Sequence, residues 1–406
     1  MFNDLQIADP GERWLVGIAD AALSVLTAPG RIWKRPRSGP VNRVLLFRLE
    51  RIGDLLMARP AIDAVRESLP NARIDLVVGS WNHTLAGMLP GIDSVQTLDL
   101  RWLARGSGSA TAANVTAAIR RWRERRYDLA INFEGDIRSH ALMWSTGAKR
   151  RVGFDMAGGG SLLTDRVRFD PRSHVTTNCL RLVARACDRP EADPVRVPEP
   201  LLMPERVRAE GLRLLGDVPD GPNGRPRTLV GVHASAGRLV KQWAPASFSR
   251  VVLELAHRHD AIIVLTGSED DRSIVDEVKA GLPHDVSLID LVGCLDLVQL
   301  ASVFRRLQLV LSVDTGPMHV AAAVGTPVVG VFGPSDPQRW GPIGPATASV
   351  RVDLPCSPCN RIRNPPDRCV GHIPDCLIGV TVEQVIDAAE RLLRERAEGR
   401  TQLGSR

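Results

Sequence analysis

From Val41 onward the chain alternates between short apolar runs, bounded by Gly, Pro, Asp or Asn, and longer segments in which apolar residues recur every three or four positions. The first pattern predicts strands and the second amphipathic helices. In the first half, strands are expected at Val44–Leu49, Ile74–Val78, Val95–Leu98, Leu129–Phe133 and Arg151–Phe154, and helices at Leu55–Ser68, Asn82–Met88, Ala112–Arg125, Asp136–Ser145 and Val175–Ala186. Prolines then crowd the chain from Pro190 to Pro204 and from Pro219 to Pro226, around a helix at Glu205–Leu215. A stretch with so many missing N–H donors cannot be a central strand and marks a linker. The alternation restarts with strands at Leu229–His233, Ile262–Thr266, Val286–Ile289, Leu309–Val313, Val328–Phe332 and Ser349–Val352, and helices at Ser247–Arg258, Asp270–Ala280, Leu297–Phe304 and His319–Val324. The last helix, Val382–Arg396, is charged enough to lie on a surface and to cross back to the first domain. The whole is the doubly wound α/β pattern in two copies. Residues 41–200 form one Rossmann-like domain and 227–380 the other, joined by 201–226 and flanked by segment 1–40 and the helix and tail 381–406.

Two strand ends carry chemistry. The strand Leu309–Val313 runs into Asp314-Thr315-Gly316-Pro317, and the helix that follows leads through Gly325-Thr326-Pro327 to the next strand. A helix opening at Thr315-Gly316 presents unpaired backbone N–H groups and the positive end of the helix dipole, which together can hold a diphosphate without a metal. Far upstream, the strand Val44–Leu49 ends in Glu50-Arg51-Ile52-Gly53-Asp54, a glycine turn with a carboxylate at the helix start. One such end per half of the chain suggests a cleft between two domains, with a nucleotide-activated donor on the second.

Composition narrows the classes. The 406 residues are comfortable for two domains, and 44% apolar with 24% charged residues is a globular balance. The net charge of +6 is mild, and no zinc finger, RNA-recognition signature or basic tail gathers it for nucleic acid. Anionic sugars, phosphates or an anionic membrane surface fit it better. Met1–Arg13 lacks the basic start and apolar run of a signal peptide, and no apolar stretch reaches the roughly 18 residues of a membrane span, so a cytoplasmic enzyme is the default expectation. Trp14 to Leu26 qualifies it: an apolar, helical stretch followed at once by Arg31, Trp33, Lys34, Arg35 and Arg37 suits a helix lying in a membrane interface, and equally one packed on the domain.

The run Arg43-Val44-Leu45-Leu46-Phe47-Arg48-Leu49-Glu50-Arg51-Ile52-Gly53-Asp54-Leu55-Leu56 resembles the opening of the heptosyltransferases, glycosyltransferase family 9. Downstream pieces are similar in the same order: His233-Ala234-Ser235-Ala236, Lys241-Gln242-Trp243 with Phe248, Thr266-Gly267-Ser268-Glu269, Asp314-Thr315-Gly316-Pro317-Met318-His319 and Phe332-Gly333-Pro334-Ser335. The resemblance spans about Val41 to Val385. It implies the GT-B fold, two Rossmann-like domains facing a central cleft, and inverting transfer of a heptose from ADP-heptose to the inner core of lipopolysaccharide with no metal required. It also implies that Asp54 takes the proton of the acceptor hydroxyl. Read from its residue type alone, Asp54 is equally suited to cap the helix. Lys241 would meet the departing diphosphate as a point charge. Thr315 and Gly316 would add N–H groups and a hydroxyl, with Asp314 orienting their loop and His319 one turn further along. Glu269, with Asp270 and Asp271 as substitutes, would take ribose hydroxyls. Gly267 and His233 complete the expected donor set.

Cys356, Cys359, Cys369 and Cys376 have the spacing C-x2-C-x9-C-x6-C. Such a knuckle can grip a structural zinc or iron, as in protein-directed members of the family, and four reduced thiols are the plainer reading. Rival functions remain: a GT-B sugar-nucleotide epimerase or hydrolase, a protein heptosyltransferase, and a membrane-peripheral scaffold. A nicotinamide dehydrogenase and a P-loop NTPase are excluded, because neither glycine motif is present.

Overall fold

The computed structural model describes residues 9–32, 39–100, 110–190, 195–220, 224, 226–362 and 365–404. The chain divides into two compact units, residues 1–196 and 197–406. Each is built on a six-stranded, wholly parallel sheet.

In the first unit the strands are β1 (Arg43–Phe47), β2 (Arg73–Val78), β3 (Ser94–Thr97), β4 (Leu129–Asn132), β5 (Arg150–Phe154) and β6 (Asp165–Val167). Their order is β3-β2-β1-β4-β5-β6. From β1 the chain winds outward through β2 and β3, then returns to the other side of β1 for β4, β5 and β6. A parallel sheet with helices on both faces buries both sides of its strands, and β1 shows it: Val44 to Phe47 are completely buried. Phe47 meets Trp122 edge-on, ring centroids 5.4 Å apart. The sequence does not announce β6, which pairs with β5 at the sheet edge and contains Asp165 and Arg166.

In the second unit the strands are β7 (Leu229–His233), β8 (Ile262–Leu265), β9 (Leu288–Asp290), β10 (Leu309–Val313), β11 (Val328–Val331) and β12 (Thr347–Val350), in the order β12-β11-β10-β7-β8-β9. The winding is the same, with β7 in the place of β1. The helix Glu205–Leu215 from the proline-rich stretch packs on the helix Leu297–Phe304. The contact is close because position 211 is glycine: a Cβ there would stand 2.6 Å from the Ser302 carbonyl oxygen. The C-terminal helix, Val382–Gly404, packs on this unit's own sheet. Val385, Ile386, Ala389 and Leu392 enter the core beside Val329 and Val331, so an apolar stripe on a highly charged helix decides its place.

The N-terminal helix, Pro10–Ile32, belongs to the first unit. Asp20 accepts from the Gly159 amide at 2.8 Å, and Val16 lies against Gly158, where a Cβ would come within 2.7 Å of it. At φ +81° Gly158 is also in the left-handed region that favours glycine. One face of the helix is thus seated. Trp14, Leu15, Ile18, Val25 and Leu26 are 43–76% exposed and, at 100° per residue, share a stripe turned away from Val16 and Asp20. Trp33, Lys34, Arg35 and Arg37 lie outside the described residues. Among the described residues no helix is long and apolar enough to cross a membrane.

Candidate functional site

In a doubly wound sheet, ligands bind beyond the carboxyl ends of the strands where the winding reverses. That point falls between β1 and β4 in the first unit and between β7 and β10 in the second, and the residues expected from the sequence gather at both.

In the first unit, Asp54 lies in the first turn of the helix Ile52–Ser68, past the cap position, with its side chain 14% exposed. Its Oδ2 accepts from the Arg51 amide at 3.3 Å. Beneath it is Arg48, which the sequence placed at a strand end without a role. Arg48 donates to the Phe133 carbonyl at 2.9 Å, to the Asp54 carbonyl at 3.0 Å and to Asp54 Oδ1 at 3.4 Å. Its third partner is Glu134, just past β4, with Oε2 at 3.5 Å from Arg48 Nη1. Burial works against the guanidinium's charge, but the carboxylates of Glu134 and Asp54 outweigh it and hold Arg48 above its ordinary range. The only local signals of this group were charged residues where apolar runs end, at Phe47-Arg48-Leu49 and Phe133-Glu134-Gly135.

In the second unit, the loop after β7 explains the run Lys241-Gln242-Trp243 residue by residue. Trp243 is buried against Phe248, centroids 5.0 Å apart, and donates to the Val380 carbonyl at 3.2 Å. Gln242 staples the loop back on itself, accepting from the Ala236 amide at 3.0 Å and donating to the Ala234 carbonyl. With those two fixed, Lys241 extends across the switch point to Asp314, Nζ to Oδ2 2.8 Å. Ser335 donates to the same carboxylate oxygen. Asp314 is therefore the counter-ion of Lys241 as well as the first residue of the phosphate-type loop.

Directly after it, Thr315 stands at the N-cap of the helix Gly316–Ala323, and its hydroxyl makes no capping hydrogen bond. Gly316 is half-buried and His319 buried in the same helix. His233, at the end of β7, is buried with Nδ1 3.2 Å from Thr266 Oγ1 and Nε2 3.4 Å from Ser235 Oγ. Burial pushes it down to about 4, which leaves the ring neutral at pH 7.

Gly267 and Glu269 follow β8, the strand on the far side of β7. Glu269 stays largely exposed, over Gly293 and 3.7 Å from Arg272. Of its two neighbours, Asp271 is already engaged, accepting from the Ser268 amide and hydroxyl at 2.8 and 2.7 Å.

Cys356, Cys359, Cys369 and Cys376 line one pocket with Val240 and Pro334. Burial, then the neighbouring Cys359, Cys369 and Cys356, pushes the Cys376 thiol up to about 11. Among the described residues no group of three or more His, Cys, Asp or Glu is arranged to hold a metal ion. Four cysteines around one pocket are nonetheless the residue types a thiophilic metal takes, and two other lining residues, Val240 and Pro334, adjoin Lys241 and Ser335 in sequence.

Known proteins resemble this chain in sequence and in fold. Residues 115–369 match the model of glycosyltransferase family 9 (heptosyltransferase). The chain is 26% identical over 323 residues to lipopolysaccharide heptosyltransferase 1 of Pseudomonas aeruginosa, covering 78% of this chain and 86% of that relative. Among solved structures it resembles the ADP-heptose lipopolysaccharide heptosyltransferase II of E. coli, with TM-score 0.70, 19% identity and coverage of 87% and 99%. It also resembles the iron-containing dodecameric glycosyltransferase TibC of enterotoxigenic E. coli, with TM-score 0.51, 14% identity and coverage of 87% and 77%.

Proposed function

The chain belongs to glycosyltransferase family 9, and we propose that it transfers a heptose, with inversion, from ADP-heptose held by the second unit to a glycan acceptor of the lipopolysaccharide inner core held by the first. The observation that carries this reading is the Lys241–Asp314 pair at the head of the helix Gly316–Ala323. A fixed cation and free helix N–H groups stand where a diphosphate develops charge as it leaves. Asp54 accepts the proton of the acceptor hydroxyl as its oxygen forms the bond to the anomeric carbon. The bond from that carbon to the diphosphate breaks on the opposite face, and the electron pair leaves with ADP. Calorimetric titration with ADP-heptose, UDP-sugars and GDP-sugars, followed by a transfer assay, tests the reading. Binding confined to the ADP-sugar, and transfer to an inner-core acceptor, is expected. Free sugar or an epimer released without acceptor would instead favour the hydrolase or epimerase.

The acceptor's lipid gives the N-terminal helix a role. Its exposed stripe of Trp14, Leu15, Ile18, Val25 and Leu26, followed in sequence by Arg31, Lys34, Arg35 and Arg37, suits the interface of an anionic membrane. Each basic residue near such a surface contributes about 1 kcal/mol. Full-length protein should bind phosphatidylglycerol-containing vesicles in a salt-sensitive way, and protein lacking residues 1–38 should not, while still serving a delipidated acceptor. Loss of that activity on truncation would show that the helix serves the fold and not the membrane.

The four-cysteine pocket is assigned to a structural zinc or iron, held by Cys356, Cys359, Cys369 and Cys376. Such a metal braces the loops beside Lys241 and Ser335 and takes no part in the transfer. Metal analysis of protein purified under reducing conditions should give near one equivalent; four freely titrating thiols without metal would end the assignment.

A further inference from the structure

We propose that Glu134 is a positioning residue for the transfer reaction: it pins the turn that leads into Asp54 and, through the Arg48 that both carboxylates share, sets the charge against which Asp54 works. The proposal rests on Asp54 as the base.

Glu134 reaches across the switch point from the end of β4. Its Oε1 accepts from the amides of Leu49 at 2.5 Å and Glu50 at 3.2 Å, the two residues that carry the chain out from β1 and Arg48 toward Asp54. The other side of that turn is held too, since Trp81 and Asn82 donate to the Glu50 carbonyl at 3.0 and 3.1 Å. The position of Glu134 is itself fixed, because its amide donates to Asn132 Oδ1 at 3.1 Å and Asn132 donates to Ser139 at 2.9 Å. A glutamine would accept the same two amides. Burying a carboxylate where an amide would serve is costly unless the charge is used, and the side chain of Glu134 is only 2% exposed. Among the described residues its Oε2 has no hydrogen-bond partner, and it faces Arg48 at 3.5 Å. The charge is therefore directed at the guanidinium that also holds Asp54.

Two carboxylates, Asp54 and Glu134, share one guanidinium. The groups facing it are Arg48 at the end of β1, Glu50 in the turn, Asp54 on the following helix and Cys179 on the helix Val175–Ala186. Burial pushes Cys179 up to about 12, so it stays a thiol. Burial also drives Glu134 well above the usual carboxylate range, with Arg48 opposing and Glu50 and Asp54 adding to the rise. An ionised Glu134 shares the Arg48 guanidinium with Asp54, so Asp54 is not the sole counter-ion of that cation.

Glu134→Gln keeps the acceptor for both amides and removes the charge. The acid limb of the kcat–pH profile should shift, and the plateau kcat should fall about 3–10-fold with the donor KM unchanged. Glu134→Asp, which restores the charge, should return the limb toward its original place. A limb and plateau unmoved in Glu134→Gln, while Asp54→Asn is inactive, would overturn the proposal and leave the base intact. An active Asp54→Asn would remove the base reading instead. Carboxyl 13C NMR of the unsubstituted protein reads the buried charge directly: the Glu134 signal should titrate well above the usual carboxylate range, and a signal titrating within that range would overturn the proposal.

Discussion

Asp54→Asn should lower kcat by about 10²–10⁴-fold with ADP-sugar affinity held within about twofold. The substitution is nearly silent structurally. Asparagine can still accept from the Arg51 amide, and the Asp54 main-chain carbonyl keeps its bond from Arg48. Asp54 is the third residue of the helix Ile52–Ser68 and completes a capping box with Arg51, a role that the asparagine oxygen can keep. What disappears is the proposed site for the acceptor's proton, so the loss belongs to kcat, and a donor held by the second unit as proposed should not sense it. Steady-state kinetics with a delipidated acceptor and calorimetry with ADP-heptose separate the two quantities. Near-normal turnover would leave Asp54 as a structural partner of Arg48.

Much of the fold was legible because buried parallel strands are written as unbroken apolar runs. Leu229–His233 and Leu309–Val313 are observed with the boundaries expected, as are the helices Ala112–Arg125, Val175–Ala186, Glu205–Leu215 and Leu297–Phe304. The strand Asp165–Val167 escaped because an edge strand of three residues, two of them charged, has no apolar run to show. The C-terminal helix escaped for a related reason: its charge suggested an exposed crossing, whereas the spacing of Val385, Ala389 and Leu392 commits it to the second sheet.

At the site, local motifs pointed to Asp54, Lys241 and Asp314, but partnerships were out of reach. Glu134 is 86 positions from Arg48, and Asp314 lies 73 from Lys241. Strand order alone brings each pair together, with β4 beside β1 and β10 beside β7. A charged residue closing an apolar run reads as a surface residue until the neighbouring strand is known.

Lys241→Ala should weaken ADP-sugar binding by about 10–100-fold in the titration that defines the donor, because a charge-assisted hydrogen bond is worth about 1.5–3 kcal/mol. The effect goes beyond one lost contact. Asp314 is 8% exposed at its side chain, and without Lys241 its carboxylate retains Ser335 as a partner but no cation. An incoming diphosphate would then meet an unneutralised negative charge at the helix start that should attract it. Turnover should fall as well, since the same ammonium faces the greater charge of the leaving ADP. The double variant Lys241→Ala with Asp314→Asn separates the two contributions: removing the exposed repulsion should return part of the donor affinity, while leaving-group stabilisation stays lost and kcat remains low. Should Lys241→Ala bind ADP-heptose as tightly as the original protein and lose only thermal stability, Lys241 is a structural partner of Asp314, and the diphosphate is held by the Thr315-Gly316 helix start alone.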